Sequence, residues 1–185
     1  MEQTRRRITQ AAVDLHGTVG PAATTISAVA ERAGVTRATL YRHFPDEGAL
    51  FTACSGAWLR EHPRPDTAAW LGIGDPRDRV RLALARMYAY YRSAEPMLAN
   101  LLRDIDTLPG PTARNLVAYP SQMLVVLDAG WPAAGNARLR RSVILHAVAF
   151  ATWRSLTGEG ASDAEASELM ADLVIRVAES GDPAS

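Results

Sequence analysis

The stretch GVTRATLYRHF, residues 34–44, decides how this chain is read. Gly34 follows Ala33 where a helix end calls for a residue in the left-handed region, and Thr36 stands where a hydroxyl can cap the next helix at once. On a helix stepping 100° per residue from near Thr36, Leu40 and Phe44 fall together and face the core. Arg37 and Tyr41 then occupy one flank of the outward arc, Ala38 and Arg42 its middle, and Thr39 the other flank. No acidic residue interrupts the run between Arg32 and Pro45. A DNA major groove admits such a helix. Its base edges offer guanine N7 and O6 to Arg and the thymine methyl to Thr or Ala, and its phosphates suit Tyr, His and helix-end N–H groups. A small residue at Ala38 lets the helix sit deep. Charge alone does not separate this reading from a solvated cationic face on an ordinary helix.

The neighbouring residues do. Upstream, Thr25 precedes Ile26, Val29, Ala30 and Ala33 and is placed to cap a short helix. Ala30 permits a close helix crossing, while Val29, Val35 and Leu40 supply a small shared core. Helix, Gly-containing turn and helix within about twenty residues is the span of a helix-turn-helix unit. Before it, Ile8, Ala12 and Leu15 share a face of a first helix that follows Arg5, Arg6 and Arg7 and ends around Gly17 and Gly20-Pro21. After it, Pro45 permits a new helix start, and Ala49 to Leu59 read as a fourth helix.

The segment TTISAVAERAGVTRATLYRHFPDEGAL, residues 24–50, resembles the DNA-binding domain of the tetracycline-repressor (TetR) family of transcriptional regulators. The resemblance joins the Thr-rich start of the second helix, the AGV turn and the TRATLYRHF helix. It implies an all-α fold with an N-terminal three-helix DNA-binding domain over residues 1–47 and a larger ligand-binding and dimerisation domain over residues 48–185. It also implies that Thr25, Tyr41 and His43 contact phosphate, that Arg37, Ala38 and Thr39 face base edges from the helix opened by Thr36, and that Arg42 serves a flanking phosphate. One position departs from the pattern. Glu47 stands where members usually carry Lys, so an acid faces the phosphates, and binding is expected to lean on Arg5, Arg6, Arg7 and the amides opening the fourth helix.

The remainder reads as longer helices. Pro63, Pro65, Pro76, Gly72 and Gly74 mark a linker over residues 62–76. Val80, Leu84, Met87 and Tyr91 recur at helical spacing until Pro96, which is expected to break or kink the run, and Leu98, Leu101, Leu102 and Ile105 carry it to a turn at Leu108-Pro109-Gly110-Pro111. Leu116, Tyr119, Met123 and Val126 make the next stripe, kinked at Pro120 and closed by Gly130-Trp131-Pro132. Two stripes follow, Leu139, Val143, His146, Phe150 and Trp153 on one helix, then Ala166, Met170, Leu173 and Val177. Residues 180–185 read as a frayed tail. With no period-two alternation, the chain is expected to be all-α with about nine helices.

A single recognition helix covers too few bases to define a genomic site, so a two-fold dimer on a palindromic double-stranded DNA operator is expected. The small-residue stripe of Ser142, Leu145, Ala149 and Thr152, together with the final helix, is the candidate interface, a homodimer through the last two helices. For an input, Trp70, Met87, Tyr88, Tyr91 and Met97 join Leu101, Tyr119, Met123, His146 and Phe150 as flexible or polar-tipped apolar side chains. They suit a cavity for a small hydrophobic or amphipathic effector.

Composition bounds the alternatives. Across 185 residues the formal net charge is +0, all 20 basic residues are Arg, and any nucleic-acid contact must come from a local patch. Cys54 is the single cysteine, which excludes an intrachain disulfide. The N-terminus lacks a signal-peptide pattern, and no run approaches the ~20 apolar residues of a spanning helix, so a cytoplasmic protein without membrane association is expected. His16, His43, His62 and His146 lie far apart, Asp104 and Asp106 point to different sides of a helix, and no nucleophile or phosphate-loop motif stands in a suitable setting. The expectation is a non-enzyme without cofactor or metal. The competing readings are a helical protein-interaction module and a small-molecule enzyme.

Overall fold

The computed structural model describes residues 1–131 and 136–180. Pro132 and residues 181–185 of the expected tail lie outside them. Among the described residues there are nine α-helices, two short 3₁₀ turns and no strand, the all-α architecture expected. The helices are α1 (Glu2–Thr18), α2 (Ile26–Arg32), α3 (Arg37–His43), α4 (Glu47–Glu61), α5 (Pro76–Arg103), α6 (Gly110–Asp128), α7 (Ala137–Ala147), α8 (Phe150–Gly158) and α9 (Asp163–Glu179). Their starts follow local chemistry. Thr25, Thr36, Asp46 and Asn136 each accept an orphan backbone N–H at N3 from Ala28, Thr39, Ala49 and Leu139 respectively. Ser162 and Glu165 complete a reciprocal capping box at α9. Each cap contributes about 1 kcal/mol.

The chain divides into two compact units, one of Met1–Arg64 with Ala94–Arg114, the other of Pro65–Ser93 with the chain from Asn115 onward. In the first, Ile8 and Ala12 of α1 are fully buried with Val29, Leu40, Phe44, Leu50 and Cys54 from α2 to α4. In the second, Val80, Leu84, Met87 and Tyr88 of α5 are buried, as are Met123 and Leu127 of α6, Ile144 of α7 and Trp153 of α8. The α9 face of Ala166, Met170, Ala171 and Val174 closes that core. Buried Arg79 satisfies its donors on the carbonyls of Ile73, Val126 and Ala129, placing a cation at the negative end of α6. Arg140, also buried, ties α7 to Asp128 at 2.7 Å.

Two elements differ from the sequence reading. Of the break or kink expected at Pro96, the break does not occur, and α5 runs through the proline to Arg103. The apolar face continues on both sides of it, with Tyr91, Ala94, Met97 and Leu98 buried, and the proline itself is exposed. The expected single helix around Leu139 to Leu156 is instead broken, α7 ending at Ala147 and α8 starting at Phe150, with Ala149 extended between them. The break has a tertiary cause. The phenols of Tyr88 and Tyr91 donate to the carbonyls of Ala147 and Val148, taking acceptors that a continuous helix would have used. The anticipated stripe is lost with it, since Leu139 and His146 are exposed and Val143 is half-buried.

Candidate nucleic-acid interface

The helix-turn-helix is built almost entirely by local rules. The N–H of Gly34 donates to the carbonyl of Glu31 and that of Val35 to Ala30, both at 2.9 Å, folding the chain back between α2 and α3. Gly34 has φ +63°, a conformation that costs side-chain-bearing residues about 1 kcal/mol or more. Leu40 and Phe44 are both 0 % exposed beside Val29, Ala30 and Ala33, so the core side of α3 is as expected.

The opposite side of α3 is open to solvent. Thr36, Arg37, Ala38, Tyr41 and Arg42 are exposed, Thr39 and His43 are partly exposed, and Thr25 is exposed at the start of α2. Seven of the eight sequence-selected residues therefore lie on α3 and its cap Thr36, and the eighth, Thr25, caps α2. The hydroxyl of Thr36 is engaged twice, accepting the N–H of Thr39 and donating to its Oγ1 at 3.1 Å. Glu47 is exposed in the first turn of α4, where the helix dipole favours an anion.

The arginines before α2 are all exposed, and two of them also make contacts within the helix-turn-helix. Arg5 donates to the carbonyl of His43 at 2.6 Å and lies 4.1 Å over the Phe44 ring. Arg7 donates to the carbonyls of Ala33 and Gly34 in the turn itself. These two guanidiniums hold the turn and the end of α3, while Arg5 and Arg6 both line an open groove with Thr9, Ala53, Ala57 and Arg60 that Glu2 and Glu61 also line. A cation paired with main-chain carbonyls leaves no sequence signature beyond its charge, which is why these roles were not legible.

Behind the helix-turn-helix, the His16 ring packs at 5.0 Å against Phe51, tilted by 34°, and its Nδ1 lies 3.5 Å from the sulfur of Cys54. Burial pushes the His16 imidazole down to about 4 and the Cys54 thiol up to about 12. Both are neutral at pH 7, and the thiol is not a nucleophile.

Residues 8–54 match the family model described as bacterial regulatory proteins, tetR family. The chain carries a tetR-family DNA-binding domain. That match covers α1 from Ile8 onward, α2, α3 and the first half of α4, and by it the chain is a DNA-binding transcriptional regulator. Solved structures share the whole fold. A TetR-like transcriptional regulator from a Rhodococcus species is 19 % identical with TM-score 0.66, over 94 % of each chain. The TetR family transcriptional regulator PfmR from Thermus thermophilus is 20 % identical with TM-score 0.63, over 94 % of this chain and 100 % of its own. No curated protein matches.

The residues selected for an effector cavity divide between the units. Met97 and Leu101 belong to the first, while Trp70, Met87, Tyr88, Tyr91, Tyr119, Met123, His146 and Phe150 belong to the second. Within the second unit, Tyr91 meets Phe150 edge-on at 5.4 Å, and the Tyr119 hydroxyl lies 3.1 Å from the Pro65 carbonyl and 3.7 Å from the Met87 sulfur. His146 is exposed on α7, its ring 3.4 Å from the Thr152 hydroxyl. No group of three His, Cys, Asp or Glu side chains that could hold a metal occurs among the described residues. No described helix is long and apolar enough to cross a membrane.

Proposed function

We propose that this regulator is a cytoplasmic, dimeric, effector-released repressor that binds a palindromic operator through α3. Residues 1–47 form the DNA-binding part, and residues 48–185 carry effector binding and dimerisation. The observation that supports this most is the exposed face of α3, where Arg37, Ala38, Tyr41 and Arg42 are open to solvent while Leu40 and Phe44 are sealed beneath. In this reading Arg37, Ala38 and Thr39 meet base edges, and Thr25, Tyr41, Arg42 and His43 meet phosphates, with Thr36 holding the helix start. The dimer forms through the last helices. Leu139 and Leu145 of α7 and Leu169 and Leu173 of α9 support this, because all four are large, apolar and exposed on helices that pack against each other. The aromatic and methionine cluster around Tyr88, Tyr91 and Met123 takes a hydrophobic or amphipathic effector, which releases DNA only if it binds the DNA-incompetent state more tightly.

Selection of bound duplexes from a random DNA pool at moderate salt tests the proposal. Wild-type protein is expected to enrich a palindrome. Arg37→Ala relaxes selection at defined base pairs by ~1–3 kcal/mol per lost contact, and Tyr41→Ala weakens binding evenly across sequences. No enrichment by any of the three proteins overturns it.

A further inference from the structure

The turn between α1 and α2 lies directly before the Thr25 cap, yet little apolar surface anchors it, since Val19, Ala22 and Ala23 are exposed. What holds it is polar and comes from the far end of α5. Asn100 Nδ2 donates to the carbonyl of His16 at 3.0 Å, and Arg103 Nη2 donates to the carbonyl of Val19 at 2.9 Å. The buried carboxylate of Asp104 accepts the N–H of Ala22 at 3.1 Å. The three side chains also bind one another. Arg103 reaches Asp104 through Nε at 2.7 Å and Asn100 Oδ1 through Nη1 at 3.0 Å. The His16 carbonyl is an orphan acceptor of the last turn of α1 and Val19 is its C-cap, so the network completes a helix end as well as gripping the turn.

The chain comes so close at this point that only glycine fits. Gly20 has φ +93°, and a Cβ there would collide with the Arg103 guanidinium and the Asp104 carboxylate. From Gly20 the ties run onward without a gap. The Thr24 hydroxyl donates to the Gly20 carbonyl at 2.7 Å, and Thr25 then caps α2.

We infer that Asn100, Arg103 and Asp104 are positioning residues for operator binding, holding the α1–α2 turn, and through it the capped start of α2, in the place from which α3 is presented to DNA. This rests on the DNA-binding reading above. None of the three needs to touch DNA. Their removal leaves every outward cation of α3 in place and loosens only the geometry. Specific binding depends on that geometry, whereas non-specific binding depends on charge.

The test compares wild type with Asp104→Asn, Asn100→Ala and Gly20→Ala, the last pressing on the same network from the turn side. Affinity is measured for the wild type's selected operator and for an unrelated duplex, with amide exchange read across both units. Each variant is expected to lose about tenfold in operator affinity and to stay within about twofold on the unrelated duplex. Faster exchange is expected over residues 17–25 and not over α9. Variants that bind the operator like wild type overturn the inference. So does parallel loss on both duplexes with faster exchange everywhere, which signals general destabilisation. A wild-type protein that selects no operator overturns the DNA-binding reading itself, and that outcome appears before any variant is compared.

Discussion

The guanidinium of Arg5 lies 4.1 Å over the ring of Phe44, so the first helix of the chain clamps the residue that ends α3 from outside. α3 has 7 residues, too few to be stable on propensity, and it depends on ties of this kind. Arg5→Ala removes the ring contact and the bond to the His43 carbonyl together. The expected cost is about 1 kcal/mol, read as a lower urea midpoint at unchanged m-value. An unaltered midpoint refutes the clamp.

Glu47 sits at the start of α4, where its charge suits the helix and opposes phosphate. Glu47→Lys is therefore expected to trade stability for affinity. Unfolding free energy falls by about 0.5 kcal/mol, while DNA binding tightens and its log–log salt dependence steepens by about one. Titrations at several salt concentrations check this, and an unchanged slope removes Glu47 from the DNA-facing surface.

His16 makes stability fall on acidification. Its folded pKa of about 4 lies below the ordinary 6.5 because burial disfavours the imidazolium. Between those values the unfolded chain binds a proton that the folded chain refuses, so stability is full above pH 6.5 and drains as pH falls toward 4. The drain from this group is roughly 3 kcal/mol. Chemical denaturation of wild type and His16→Gln at pH 7 and pH 4.5 isolates it, and equal acid sensitivity in the two proteins contradicts it.

Cys54, buried beside that ring with its thiol pushed up to about 12, is expected to resist alkylation in the native protein at pH 8 and to react at once in denaturant. Mass spectrometry after timed iodoacetamide exposure gives the rate. Native labelling as fast as denatured labelling means the first unit opens far more often than its packing allows.

Leu169 and Leu173 stand 58 % and 42 % exposed, one turn apart on α9. Because neither supports the core, the double variant Leu169→Arg, Leu173→Arg should keep its helical circular dichroism while sedimenting as a monomer. Losing the second half-site contact costs roughly a hundredfold or more in operator affinity. A variant that remains dimeric places the interface elsewhere.

What the sequence determined by itself is the helix-turn-helix. The Thr25 and Thr36 caps, the left-handed Gly34 and the Leu40–Phe44 spacing act between residues at most a few positions apart, so order along the chain is enough to read them. The α-helical class was legible for the same reason. The continuation of α5 through Pro96, the break between α7 and α8, the carbonyl partners of Arg5 and Arg7, and the grip of Asn100, Arg103 and Asp104 on the α1–α2 turn were decided only in three dimensions. All but the first are side chains meeting distant backbone groups, as when the Asp104 carboxylate meets an N–H 82 residues away. A backbone donor or acceptor is identical at every position in the sequence, so only the folded chain shows which one a side chain will find.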